Sequence, residues 1–506
     1  MHARIFSATT RGVDAIIIDI EVDVSLGLMR WVIVGLPDKA ISESKERIQA
    51  ALRNSGCKVL DRAITINLAP ASVRKQGVLF DVAIALAVLL ACKQVAASSS
   101  FLDETVFLGE LALNGDIRPV HGVLPIADHA KKCGKKRLIV PQENVGEASL
   151  IQDLEVIGVS SLVDVLAFVQ GEKVIAPVPC SFSTIAEKTI ATVDLGDVCG
   201  QWMAKRALEI AAAGHHNLLL IGPPGSGKTM MARRLATILP PLSFEHVIDV
   251  TKVYSVAGLL SGQSLITQRP FRAPHHTISQ AGLIGGGSVP RPGEVSLAHH
   301  GVLFLDELTE FSRSTLEVLR QPLESGNVLI SRAQLAVTFP ASFLLVAALN
   351  PCPCGYFGDG TSRCSCHPRT VAAYKAKLSG PLLDRIDVHV AVQAVAYKDV
   401  FYATQERESS HDVALRVVQA HSVQKERGQL VANGMLSGKE VERYCVLTKE
   451  AQKIVEDVFN KHTLSMRGYH KVLKVARTCA DLDGSTCIED KHIHQALMFR
   501  MLSTDE

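Results

Sequence analysis

No sign of charge dominates this chain: 53 lysines and arginines against 51 aspartates and glutamates leave +2 over 506 residues. A chain-wide basic field is thereby excluded, so any nucleic-acid binding must come from local patches or from an assembly that concentrates charge on one surface. Long apolar runs are lacking too. The longest, Val82 to Cys92, falls well short of the roughly 20 residues that span a bilayer. The opening "MHARIFSATTRGVDAIIIDIE" has no signal-peptide apolar core followed by a small-residue cleavage site. The expectation is a soluble protein of the cytoplasm with no membrane partner. Polar low-complexity tracts are also missing, and with 47% hydrophobic and 21% charged residues the chain reads as folded throughout. Its length suggests about three domains.

What is present falls into three segments. Residues 1–170 alternate strand-like runs ("AIIIDIEVDV", "WVIVGL", "AITINLA", "VFLGEL", "RLIV") with helical patterns ("DKAISESKERIQAALRNSG", "FDVAIALAVLLA", "PIADHAKKCG"), as an α/β or α+β domain does. Prolines and small polar residues make 171–189 a linker. A second α/β unit covers 190–395, and 396–506 has helical patterning only.

Chemistry concentrates in the second unit. "NLLLIGPPGSGKTMMARRLATIL" supplies a buried strand, a glycine-rich turn and a helix, the context of a phosphate-binding P-loop. Gly222, Pro223, Pro224, Gly225, Ser226 and Gly227 form the turn whose amides converge on ATP phosphates; Lys228 reaches the β and γ phosphates and Thr229 can ligate Mg²⁺. "GVLFLDEL" is an apolar strand ending in two acids, Asp306 for Mg²⁺ through water and Glu307 as the base that orients the attacking water. "SFLLVAALN" runs beside it in a P-loop sheet and presents Asn350 between the P-loop and Glu307, within reach of the γ phosphate.

Of twelve cysteines, eight are scattered through apolar or helical patterns, as reduced core thiols are. The other four, Cys352, Cys354, Cys364 and Cys366, form C-x-C-x₉-C-x-C directly after Asn350. Four thiolates so spaced can close a tetrahedral Zn²⁺ site, with a redox or unliganded cluster as the alternative, and adjacent His367 can substitute for one of them. Arg363 and Arg369 flank the cluster as candidates for phosphate. "LESGNVLISRAQLAVTFPASF" predicts a hairpin with Arg332 near its end. Arg291 is the basic residue nearest the glycines of "FRAPHHTISQAGLIGGGSVPRPGE". Paired His275 and His276 are expected in structural or interface roles rather than on a metal.

"FRAPHHTIS", "GVLFLDELTEF", "LRQPLESG", "ISRA", "NPCPCG" and "SGPLLDRID" are similar to the magnesium-chelatase-like AAA+ ATPases of the YifB/ComM group, a resemblance running from "GLPDKAISESKERIQAALRNSG" to "RGYHKVLKVARTCADL". It implies a Lon-protease-like N-terminal α/β domain of ChlI type, an AAA+ P-loop α/β core of the chelatase and replicative-helicase clade with a cysteine insertion at 351–367, and a C-terminal helical lid. It further implies ATP, Mg²⁺ and Zn²⁺ as cofactors and a homo-hexamer in which Arg385 meets the neighbour's nucleotide and Arg467 its own γ phosphate. The implied activity is an ATP-driven DNA helicase that moves branch points of recombination intermediates, single-stranded or branched, in natural transformation, with recombination proteins as candidate partners. Leu79 stands where Lon-like peptidases have serine, and "HGVLPIADHA" offers no lysine before Lys131, so a Ser-Lys dyad is not expected. An ATP-driven protein remodeller and a magnesium-chelatase-type motor are the alternatives.

Overall fold

From Ile18 to Val24 in "AIIIDIEVDV" apolar and polar residues alternate and every second side chain is buried, and this strand anchors the first sheet. In the computed structural model, all residues are described except 29, 59–61, 76, 180–192, 261–263, 288, 333–334, 359–362, 395–407, 463–464 and 501–506. The first sheet has seven strands: β1 (His2–Arg11), β2 (Asp14–Ser25), β3 (Arg30–Val34), β4 (Ala63–Ala69), β5 (Thr105–Phe107), β6 (Arg137–Pro141) and β7 (Glu155–Val159), in the order 3-4-2-1-5-6-7. β1–β2 and β2–β4 pair antiparallel; the other neighbours are parallel. Helix α1 (Lys39–Asn54), N-capped by Asp38, lays Ile41, Ile48 and Leu52 on the core. Helix α2 (Asp81–Ala91) is apolar nearly all round and correspondingly buried on every side.

The second sheet has five strands, all parallel: β8 (Leu218–Ile221), β9 (Phe271–Arg272), β10 (Val302–Leu305), β13 (Leu344–Leu349) and β14 (Val388–Ala391), ordered 9-10-13-8-14. Between β10 and β13 the chain leaves the sheet as an antiparallel hairpin, β11 (Asn327–Arg332) with β12 (Leu335–Pro340). Strands β10 and β13 are uninterrupted apolar runs because helices cover both faces of a parallel sheet. Helices α3 (Val123–Lys132), α4 (Trp202–Gly214), α5 (Lys228–Ile238), α6 (Phe244–Ala257), α7 (Arg320–Ser325) and α8 (Pro368–Lys375) precede the C-terminal helices α9 (Ser410–Glu426), α10 (Lys449–His462), α11 (Met466–Leu482) and α12 (Asp490–Met498). Among described residues from 408 onward there is no strand. Val417, Val472 and Ala476 share one apolar cluster with Leu218, Val302 and Val346, so these helices rest on the same core as the sheet. Residues 180–189 of the expected linker, and the expected boundary at 395–396, lie outside the described residues. No described helix is long and apolar enough to cross a membrane.

Among the described residues, the N-terminal unit meets the second along α6 and at the hairpin. Asp128 pairs with Lys252 of α6 at 2.7 Å, and buried Glu147 accepts from Ser255 Oγ at 2.6 Å. At the β1–β2 turn, Arg11 Nη2 donates to Ala336 O of the hairpin at 3.3 Å, beside Gly12.

Candidate nucleotide site and cysteine cluster

β8 delivers the chain into the phosphate loop because Gly222 N–H bonds Leu349 O of β13 and Val392 N–H bonds Ile221 O, tying the loop to strands on both sides. Gly225 and Gly227 take left-handed φ of +77° and +89°, after which α5 begins at Lys228 with its amides open toward the loop. Lys228 Nζ donates to Gly222 O (2.7 Å), Pro223 O (2.8 Å) and Asn350 Oδ1 (3.2 Å), and burial pushes its pKa down against the pull of Asp306 and Glu307. Ser226 Oγ is buried with no hydrogen-bond partner among the described residues. An ammonium satisfied by loop carbonyls and an orphaned hydroxyl fit a cradle for polyphosphate.

The acids converge on it. Thr229 Oγ1 donates to Asp306 Oδ2 at 2.7 Å, so the hydroxyl and carboxylate that would share Mg²⁺ are already adjacent. Glu307 follows with a left-handed φ of +50°, its N–H on Asp306 Oδ1 at 3.0 Å and its carboxylate exposed. Glu307, Asn350 and His276 line one cleft of about 540 Å³, together with Pro353, Glu310, Tyr374 and Lys377. His276 Nδ1 lies 3.9 Å from Glu307 Oε2. The histidine expected from sequence in a structural or interface role stands beside the candidate base; a His-His pair in a glycine-rich stretch gave no sign of which strand it would follow.

The cysteine loop packs on this site. Gly355 (φ +87°) comes so close that a Cβ there would stand 2.6 Å from Pro224 Cδ of the phosphate loop. The sulfurs of Cys352, Cys354, Cys364 and Cys366 all lie within 4.8 Å of one another. Separations of 3.3 Å (Cys352–Cys354), 3.9 Å (Cys352–Cys364) and 3.7 Å (Cys354–Cys364) bracket the edge of about 3.8 Å that four Zn–S bonds of about 2.3 Å require. The Tyr356 backbone N–H, then the Cys352 thiol, bring the Cys354 thiol down to about 6. His367 is engaged otherwise, since its Nδ1 accepts from Arg369 N–H at 3.3 Å and caps α8. Tyr374 on that helix accepts from Thr309 Oγ1 at 2.6 Å, two residues past Glu307, so the segment following the cluster braces the acid-bearing loop.

The two candidate arginines meet elsewhere. Arg385 Nη2 and Arg467 Nη2 both donate to Glu324 Oε1, Arg467 at 3.3 Å. Arg332 ends β11 opposite Leu335, its side chain outside the described residues. Arg291 is exposed and pairs through its backbone with Gly286. Arg363 stacks over the Tyr356 ring at 4.6 Å, and Arg369 is exposed on the first turn of α8.

A parallel sheet whose phosphate loop faces an acid pair and an amide is that of a P-loop ATPase. The family model described as magnesium chelatase, subunit ChlI, matches residues 194–400; those described as subunit ChlI of Mg-chelatase and as the ChlI C-terminal part match 20–144 and 407–500. Competence protein ComM of Haemophilus influenzae is 42% identical over 505 residues, 99% of this chain and 97% of that one. The uncharacterized protein YifB of Escherichia coli is 42% identical over 492 residues, 97% and 95% of the two chains. The magnesium-chelatase 67 kDa subunit of Chlorobaculum tepidum is 30% identical over 159 residues, 31% of this chain and 23% of that one. The chain belongs to the ComM/YifB family of magnesium-chelatase-like AAA+ ATPases, for which ATP with Mg²⁺ is the substrate.

Proposed function

We propose that the chain is an ATP-driven DNA translocase of the cytoplasm that works as a homo-hexamer and moves branch points of recombination intermediates, as in natural transformation. The observation that carries this reading is near full-length similarity to a protein named for competence, in a chain where Lys228 meets Asn350, Thr229 meets Asp306, and Glu307 and Asn350 line one cleft. Lys228 and the loop amides bind phosphate, Thr229 and Asp306 hold Mg²⁺, Glu307 takes the proton of the attacking water, and Asn350 orients the γ phosphate. Arg385 serves a neighbouring subunit and Arg467 its own, stabilising transition-state charge. The hairpin and the glycine-rich ribbon, carrying Arg332 and Arg291, grip DNA; six copies concentrate the positive charge that +2 per chain lacks. Cys352, Cys354, Cys364 and Cys366 hold zinc, which makes the loop rigid without an apolar core, and Arg363 and Arg369 beside it meet DNA phosphates. The domain division at 170, 190 and 395, with a Lon-like first domain and a helical lid, belongs to the same reading.

The test is ATP hydrolysis with single-stranded, duplex and four-way-junction DNA, for the wild type and Glu307→Gln, with ring size followed by light scattering. Junction-stimulated hydrolysis by hexamers, lost in the variant, is expected. Hydrolysis indifferent to every DNA would overturn the reading in favour of protein remodelling.

A further inference from the structure

Glu324 stands where three parts of the molecule meet. It lies in the last turn of α7, whose C-cap Gly326 (φ +66°) hands the chain to β11 of the hairpin. Its Oε1 receives both Arg385 and Arg467. Arg385 also donates to Pro381 O at 2.5 Å, and only 10% of its side chain is exposed. In this pose the guanidinium is folded onto its own subunit, and two cations share one carboxylate.

A guanidinium fork fits carboxylate and phosphate with the same N–H groups, so Glu324 and an incoming phosphate compete for Arg385. Glu324 is half-exposed, at 52%, so the pairing is weak enough to be exchanged. Only Ser325 and Gly326 separate it from β11, so displacement of the hairpin displaces the carboxylate.

We propose that Glu324 is a latch: it parks Arg385 and Arg467 in the resting protomer, and movement of the hairpin by substrate withdraws it so that both arginines turn to phosphate. Glu324 is thus a positioning residue, acting through the arginines. The inference rests on reading Arg385 and Arg467 as phosphate-facing residues.

The experiment compares full-length wild type, Glu324→Gln, Glu324→Ala, Glu324→Asp and Arg385→Ala by steady-state ATP hydrolysis, with and without a synthetic four-way DNA junction. Thermal melting of each variant verifies folding. Glu324→Gln should raise the DNA-free kcat about fivefold, the factor that about 1 kcal/mol of a partly exposed ion pair makes in a population. Stimulation by DNA should fall by the same factor. Glu324→Ala should behave alike, and Glu324→Asp should restore the wild-type ratio. If both neutral variants keep the wild-type DNA-free rate and ratio while Arg385→Ala abolishes hydrolysis, the latch is overturned and the role of Arg385 stands. A lowered DNA-free rate also overturns it, since Glu324 would then support the arginines rather than restrain them. Arg385→Ala hydrolysing at the wild-type rate removes the role of Arg385 itself, and the latch with it.

Discussion

Replacing Asp387 by alanine should cost the folded chain about 3–5 kcal/mol, the usual penalty for leaving one partner of a buried ion pair uncompensated. Asp387 is buried two residues beyond Arg385, at 3.0 Å from Lys471 Nζ of α11 and 3.4 Å from His216 Nδ1. Burial alone would raise its carboxyl pKa, but Lys471 and His216 prevail and hold it well below the usual carboxylate range. Without Asp387 the largely buried Lys471 ammonium keeps, among the described residues, a hydrogen bond to Ile386 O at 3.1 Å. Against a total stability of about 5–15 kcal/mol, this is a large share, and it falls on the joint between α11 and the strand that follows Arg385. A depressed carboxyl pKa contributes stability in full above the unfolded value of 3.8, lost as pH falls through the folded value. The deficit of Asp387→Ala should therefore be constant from about pH 8 to 5 and shrink below about pH 4. Urea unfolding measures it, together with Lys471→Met and the double variant, which strands neither charge of the pair and should recover at least half of the loss. A deficit under about 1 kcal/mol, or a double variant as unstable as the sum of the singles, would refute the argument.

Two further outcomes concern the site. Cys352→Ser should lower bound zinc, measured by elemental analysis, from one per chain toward none, and should weaken nucleotide binding in a fluorescence titration, because the loop leans on Pro224. Chelation of the wild type should reproduce both effects. His276→Ala should reduce kcat for ATP about tenfold with KM little changed, as expected for a group acting on the base rather than on nucleotide binding. A matching rise in KM would assign it to binding.

The phosphate loop, the acid pair and the strand ending at Asn350 were legible because each is a contiguous stretch in which strand, turn and helix signals agree. So were the four cysteines, whose spacing has few uses. β1 escaped notice, although it is central to the first sheet: its middle residues Phe6 to Thr9 are buried without interruption, so no alternation marks them. Glu324 was equally silent, an acid near a helix end like any solvated charge. His276 and Tyr374 acquire meaning only when β9 and α8 bring them to Glu307 and Thr309. Periodicity reports a residue's own element, and these contacts join elements distant in sequence.

The missing side chain of Gly12 sets a clearance. A Cβ there would stand 2.4 Å from Val337 Cγ1, so the β1–β2 turn and the hairpin are separated by less than a methyl group. Behind that turn lies a seven-stranded plate. The turn joining the chain's first two strands therefore sits flush against β12, and any side chain at residue 12 would have to push the hairpin away from it.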